Sequence, residues 1–221
     1  MTTPPSPYLA PGFYDKALAA GRHRAIVGGR WEETGRIQMA ALLAEGMLPH
    51  HNLLDIGCGA LRLGCRAVPF LDPGHYWGTD ASAALMAAGH AQELAMPDLL
   101  PPSNLIEDAD FAFPGVPAHI DYAIAFAVFT HLPQGTLRPA LARLRACCPG
   151  LTRLLFTVFL GDAPGPLRQP DGVVTHATRP PYHRPMADVL ADCAAAGFDG
   201  AFRATILPRG QRLCVAAIAG R

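Results

Sequence analysis

The chain has 221 residues, half of them apolar, and 18 basic residues balance 18 acidic ones. That suffices for one full-sized core, while zero formal charge without a lysine- or arginine-rich run argues against a nucleic-acid or membrane surface and leaves a small molecule as the expected partner. The six cysteines (Cys58, Cys65, Cys147, Cys148, Cys193, Cys214) have neither zinc-site nor disulfide spacing, and no apolar run approaches the roughly 18 residues of a membrane span. They are expected as reduced core residues of a soluble, cytoplasmic protein whose start, MTTPPSPYLAPGF, lacks the features of a secretory leader.

In chain order, residues 13–46 carry helical spacing (Tyr14, Leu18; Ile37, Ala40, Ala41, Leu42) broken at Val27-Gly28-Gly29, which predicts two helices joined by a turn. We expect residues 1–48 to form a helical cap, or lid, on an α/β core over 49–221, the whole being one domain. Strands are predicted at 51–56, 75–79, 103–107, 120–126, 151–160, 201–207 and 212–218, with helices near 60–70, 81–95, 134–148 and 186–196. Alternation of this kind predicts a seven-stranded, doubly wound sheet. The last two strands, AFRATIL and RLCVAAI, are separated only by PRGQ, too short for a helical crossover, so they are expected as an antiparallel hairpin. The proline-rich stretch 162–185 reads as a long loop.

The segment LLDIGCGALRLG (53–64) is a buried strand entering a glycine loop, where absent side chains let a ligand approach the backbone and a following helix would point its N–H groups at it. A dinucleotide fingerprint would need a third glycine at 62, and position 62 is Arg. The D-x-G-x-G form of Asp55, Gly57, Cys58 and Gly59 resembles motif I of class I S-adenosylmethionine-dependent methyltransferases. Asp80, at the end of HYWGT and followed by Ala81 and Ser82, sits where the second motif holds both ribose hydroxyls, although an acid there can also cap the next helix. NLIEDADFAF offers Asp108 or Asp110 for the adenine amino group, with Phe111 to cover the base. DYAIAFAVFTHLP resembles the fourth motif, where reacting groups meet the sulfonium, and HRAIVGGRWEETGRIQ resembles a bacterial subgroup whose N-terminal helices fold over the cofactor. The resemblance covers residues 13–133 and implies the Rossmann-like class I methyltransferase fold with S-adenosylmethionine as cofactor.

Methyl transfer chiefly requires the acceptor to be held in line behind the methyl carbon. Should the acceptor need a base, His131 is the best-placed neutral-pH candidate, with Tyr182 and His183 of RPPYHRP second; a turn-capping histidine and ordinary loop residues are the plainer readings. Aromatic faces stabilise a sulfonium, and Tyr14, Trp31, Phe126 and Phe129 lie in the segments expected around it. Trp31, flanked by Arg30, Glu32 and Glu33, reads as a lid residue. Arg62, or else Arg24 or Arg36, is a candidate for the methionine carboxylate. The expected function is methyl transfer to a small molecule, with a homodimer of exchanged caps open. One alternative keeps the cofactor but closes it on itself, by attack of its amino group on the γ-carbon, giving azetidine-2-carboxylate and methylthioadenosine, as in azetidine-2-carboxylate synthases. Another is a non-catalytic S-adenosylmethionine-binding module.

Overall fold

The structure, a computed structural model, describes Ser6, Tyr8 and residues 12–220; residues 1–5, 7 and 9–11 of the predicted cap, and Arg221 of the core, lie outside the described residues. The chain begins with α1 (Asp15–Ala19), α2 (His23–Ile26) and α3 (Trp31–Ala44). Next come β1 (Leu53–Ile56), α4 (Gly64–Ala67), β2 (Tyr76–Asp80), α5 (Ala83–Glu93), β3 (Leu105–Glu107) and β4 (Tyr122–Ala125). The remainder is α6 (Leu137–Cys147), β5 (Arg153–Leu160), β6 (Leu167–Arg168), β7 (Val174–Thr175), β8 (His183–Arg184), α7 (Met186–Ala195), β9 (Phe198–Ile206) and β10 (Arg212–Ile218).

The main sheet runs β3-β2-β1-β4-β5-β10-β9, parallel as far as β5 and antiparallel in its last two pairings. β1 and β4 are buried at every position, as expected for parallel strands covered on both faces. Their alternating side chains feed two cores. Leu53, Tyr122, Ile124 and Leu155 pack with Leu42, Leu61 and Met86 on one face; Leu54, Ala123, Ala125 and Phe156 pack with Leu137, Leu141, Leu144 and Val189 on the other. The helices are thereby assigned to faces, α3 and α5 to the first, α6 and α7 to the second.

Each predicted strand has a counterpart, and the C-terminal hairpin forms as expected, with β9 starting at Phe198, three residues early. Three readings need correction. Among its described residues the cap contains three helices instead of two, because the chain also breaks at Gly21, whose φ of 65° ends the first helical turn pair. The helix expected over 60–70 is a single turn, since buried Leu61 takes φ 63° and interrupts it before Gly64. The stretch 162–185 is not simply a loop: β6 and β7 form a small hairpin, and β8 adds in parallel to the end of β5.

Because β10 is antiparallel to β5 and β9 antiparallel to β10, β9 points the same way as the parallel strands. Its following turn, residues 207–211, therefore lies at the same sheet edge as the loops after β1, β2 and β4. No helix among the described residues is long and apolar enough to cross a membrane.

Candidate active site

A cavity of about 230 Å³ opens at that edge. One wall comes from the β1, β2 and β3 loops: Gly57, Cys58 and Gly59, then Asp80 and Ala81, then Asp108, Ala109 and Phe111. The rest of the lining includes Arg62 of the β1 loop, Tyr8, Tyr14 and Gln38 of the cap, His131 after β4, and Arg209 and Gln211 of the last turn.

The glycine loop is held from within. Gly57 and Cys58 donate their N–H groups to the Thr79 carbonyl at 2.7 and 3.0 Å, and Gly59 donates to Asp80 Oδ2 at 2.9 Å. These donors are thus already engaged, and α4 starts too late and is too short to aim its N-terminus at a ligand; this corrects the expectation of an N–H cradle. What the loop retains is bare backbone at 57 and 59. It is seated closely because α5 carries Gly89 against it: a Cβ there would fall 2.4 Å from the Ala60 carbonyl oxygen.

Asp80 accepts from Gly59 and, through Oδ1, from the Ser82 N–H at 3.0 Å. Burial pushes its carboxyl up to about 6, against the lowering effect of these backbone donors. Asp108 accepts N–H bonds from Asp110 (3.2 Å), Ala112 (3.1 Å) and Phe113 (2.8 Å), which fixes the loop that presents Phe111 at φ 60°. The structure thus separates the two acids: Asp108 lines the cavity, and Asp110 is exposed, its carbonyl taken by Arg143.

Of the other candidates, Cys58, Arg62, Phe126 and His131 line the cavity, as does Tyr14. The rest do not. Asp55 lies buried beneath the loop, accepting from the Tyr76 hydroxyl at 2.6 Å, and burial pushes it up to about 7. Ser82 caps α5 by accepting from Leu85 N–H at 3.2 Å. Phe129 stands behind the wall, stacked on Phe111 with ring centres 5.6 Å apart. Trp31 faces away, packed edge-on to His23 with Arg24 over its ring at 5.2 Å, because α2 and its own helix close around it. His183 is buried between Thr175 Oγ1 (2.9 Å) and the Ala163 carbonyl (2.7 Å), while Tyr182 is buried and lines a separate small crevice with Leu132 and Gln134. The β8 pairing that turned this loop inward accounts for both. Arg24 serves Glu93, at 2.6 Å, and Arg36 is exposed.

Arg62 donates to the carbonyls of Val27 (3.1 Å) and Gly29 (3.3 Å), joining cap to core. Its Nε and the Gln38 Oε1 are buried without a hydrogen-bond partner among the described residues, and both side chains line the cavity. A free guanidinium donor and a free amide acceptor suit the carboxylate and ammonium of an α-amino acid. His131 meets the Tyr8 ring edge-on at 4.9 Å, and burial, with help from Arg209, pulls it down to about 4. Burial raises Tyr14 and Tyr8 above the ordinary phenol range.

Sequence reasoning missed Tyr8, Gln38, Arg209 and Gln211. One signal was available: a final strand hairpin following a helix puts its turn, PRGQ, at the carboxyl edge with the other loops. Backbone strain marks the same place, since Arg30, Phe111, Ala127 and Arg209, four of the described non-glycine residues with positive φ, all line the cavity.

Residues 54–149 match the family described as a methyltransferase domain, and over its length the chain has the class I S-adenosylmethionine-dependent methyltransferase fold. Among similar solved structures is magnesium protoporphyrin IX methyltransferase (ChlM) from Synechocystis PCC 6803 with bound S-adenosylmethionine. It is 20% identical with a TM-score of 0.65, the match covering 96% of this chain and 94% of that one. The DhpI-SAM-HEP complex is 14% identical with a TM-score of 0.67, over 98% and 99% of the two chains. Burkholderia thailandensis 1,6-didemethyltoxoflavin-N1-methyltransferase, solved with that compound and S-adenosylhomocysteine, is 18% identical with a TM-score of 0.62, over 93% and 85%.

Proposed function

We propose that this chain is an S-adenosylmethionine-dependent methyltransferase acting on a small molecule, with the cofactor lying along the β1–β3 wall. The observation that carries this reading is the unpartnered pair, Arg62 Nε and Gln38 Oε1, beside a glycine loop with an acid one strand away. Arg62 and Gln38 take the amino-acid end, Asp80 the ribose hydroxyls, and Asp108, Ala109 and Phe111 border the adenine. When bound, the cofactor supplies an electrophilic methyl group on a sulfonium. Tyr14 and Phe126 offer aromatic faces to that charge, each such contact contributing about 0.5–2 kcal/mol. Cap and core share Arg62, so closing the cap over the cavity excludes water and fixes the acceptor's approach. Arg209 and Gln211 border the side left for the acceptor.

Incubating the purified protein with S-adenosylmethionine, with and without a pool of small acceptors, and identifying products by mass spectrometry tests this. S-adenosylhomocysteine formed only with the pool is expected. Methylthioadenosine and azetidine-2-carboxylate from the cofactor alone would replace transfer by cyclisation, and binding without either product would leave a binding module.

A further inference from the structure

Among the described residues, three arginines and two aspartates line the cavity, and their pairing is uneven. Arg30 pairs with Asp171 at 3.2 Å. Asp80 and Asp108 are turned to backbone N–H groups. The guanidiniums of Arg62 and Arg209 have no carboxylate within salt-bridge distance among the described residues and donate to neutral carbonyls, that of Arg209 to Gly28, while the Arg209 backbone N–H donates to Asp171 Oδ2 at 2.7 Å. Residues 1–5, 7 and 9–11 contain no acid to complete them. Two guanidiniums whose fields reach each other and Tyr8 therefore stand in one half-buried space without an ion-pair partner, Arg62 feeling the buried Asp55 carboxyl only from beyond contact distance. The cofactor's single carboxylate accounts for one.

We propose that the acceptor is a small organic acid with an apolar body, bound through its ionised oxygens by Arg209 and methylated on one of them. This rests on the cofactor reading above, which assigns Arg62 to the amino-acid end. The cavity that Arg209 lines fits such a molecule: Leu132, Phe159, Val173, Pro181 and Pro208 contribute apolar lining for the body, and the guanidinium fork matches an acid's two oxygens. A cationic methyl donor attracts an anionic acceptor across a water-poor cavity.

Proton bookkeeping agrees. His131 is too weak a base to ionise a hydroxyl near neutral pH, and the two tyrosines hold their protons. An acid oxygen arrives already ionised. Its lone pair forms the O–CH3 bond as the methyl–sulfur bond breaks, the bonding pair stays on sulfur, and no proton is released; the product is a methyl ester.

The test offers benzoate, hexanoate and methylphosphonate beside methyl benzoate, benzamide and benzyl alcohol, with S-adenosylmethionine as donor and mass detection of products. Calorimetry with the same acids and the S-adenosylhomocysteine complex gives binding without turnover. At least one acid and none of the neutral compounds is expected to be methylated. Arg209→Gln should weaken acid binding about tenfold or more, with Arg209→Lys in between, while cofactor affinity changes less than about threefold. Methylation of neutral compounds but not acids, or acid binding unaltered in both variants, overturns the proposal. A protein that does not bind S-adenosylmethionine at all defeats the underlying cofactor reading instead.

Discussion

The two walls of the cavity are built on opposite plans. On the β1–β3 side nearly every polar group is spent on its own backbone: three loop N–H groups go to Thr79 and Asp80, and Asp108 serves three more. The exception there is Arg62, whose Nε is orphaned; across the cavity, side chains from the cap, the β4 loop and the last hairpin add the orphaned Gln38 Oε1 and the unpaired Arg209 guanidinium. A wall satisfied in advance keeps its shape without ligand, whereas the facing wall is completed by what binds. The first suits the nucleoside end of a fixed cofactor, and the second meets the cofactor's amino-acid end at Gln38 and an acceptor at Arg209.

The sharpest way to break this contrast is Asp80→Ala. It removes both the proposed ribose acceptor and the anchor of Gly59, so cofactor affinity should fall about 100-fold by calorimetry. An unchanged affinity would mean the first wall is not the cofactor seat.

Next comes Asp55→Asn. The folded carboxyl is pushed up from 3.8 to about 7, so the folded protein binds the proton more tightly than the unfolded chain. The resulting stability is present below pH 4 and lost as pH rises toward 7. Asparagine can still accept from Tyr76, and urea unfolding should show the variant more stable than wild type at pH 8, by up to about 4 kcal/mol, and equal to it at pH 4.

A smaller effect is expected at the latch between cap and core. Glu93 accepts from His23 at 2.5 Å and from Arg24 at 2.6 Å, tying α2 to α5. Glu93→Gln should cost about 1 kcal/mol, seen as about fivefold faster hydrogen exchange in residues 15–30 and little change in the sheet. Smallest of all, Trp31→Phe should leave cofactor affinity within about twofold, because its ring meets Arg24 and His23 outside the cavity.

The same contrast explains what could be read in advance. The first wall is encoded in short continuous motifs, each at the end of a strand, so Gly57, Asp80 and Phe111 are findable from local pattern alone. Tyr8, Gln38, His131 and Arg209 meet only through the sheet order, and of these His131 alone was legible, because it lies in a motif. Trp31 misled because its charged neighbours suggested an open setting, while α2 folds back to cover it. Tyr182 and His183 misled because a proline-rich run hides β8, whose pairing to β5 buries them. The brief helix after the glycine loop depends on a left-handed Leu61, a conformation no leucine advertises.

A crystal structure with S-adenosylhomocysteine tests the central claim most directly. The ribose should contact Asp80, the adenine should lie by Asp108 and Phe111, and the amino-acid end should meet Arg62 and Gln38, with Arg209 left facing open space. The ligand bound elsewhere, or its carboxylate on Arg209 instead of Arg62, would contradict the account.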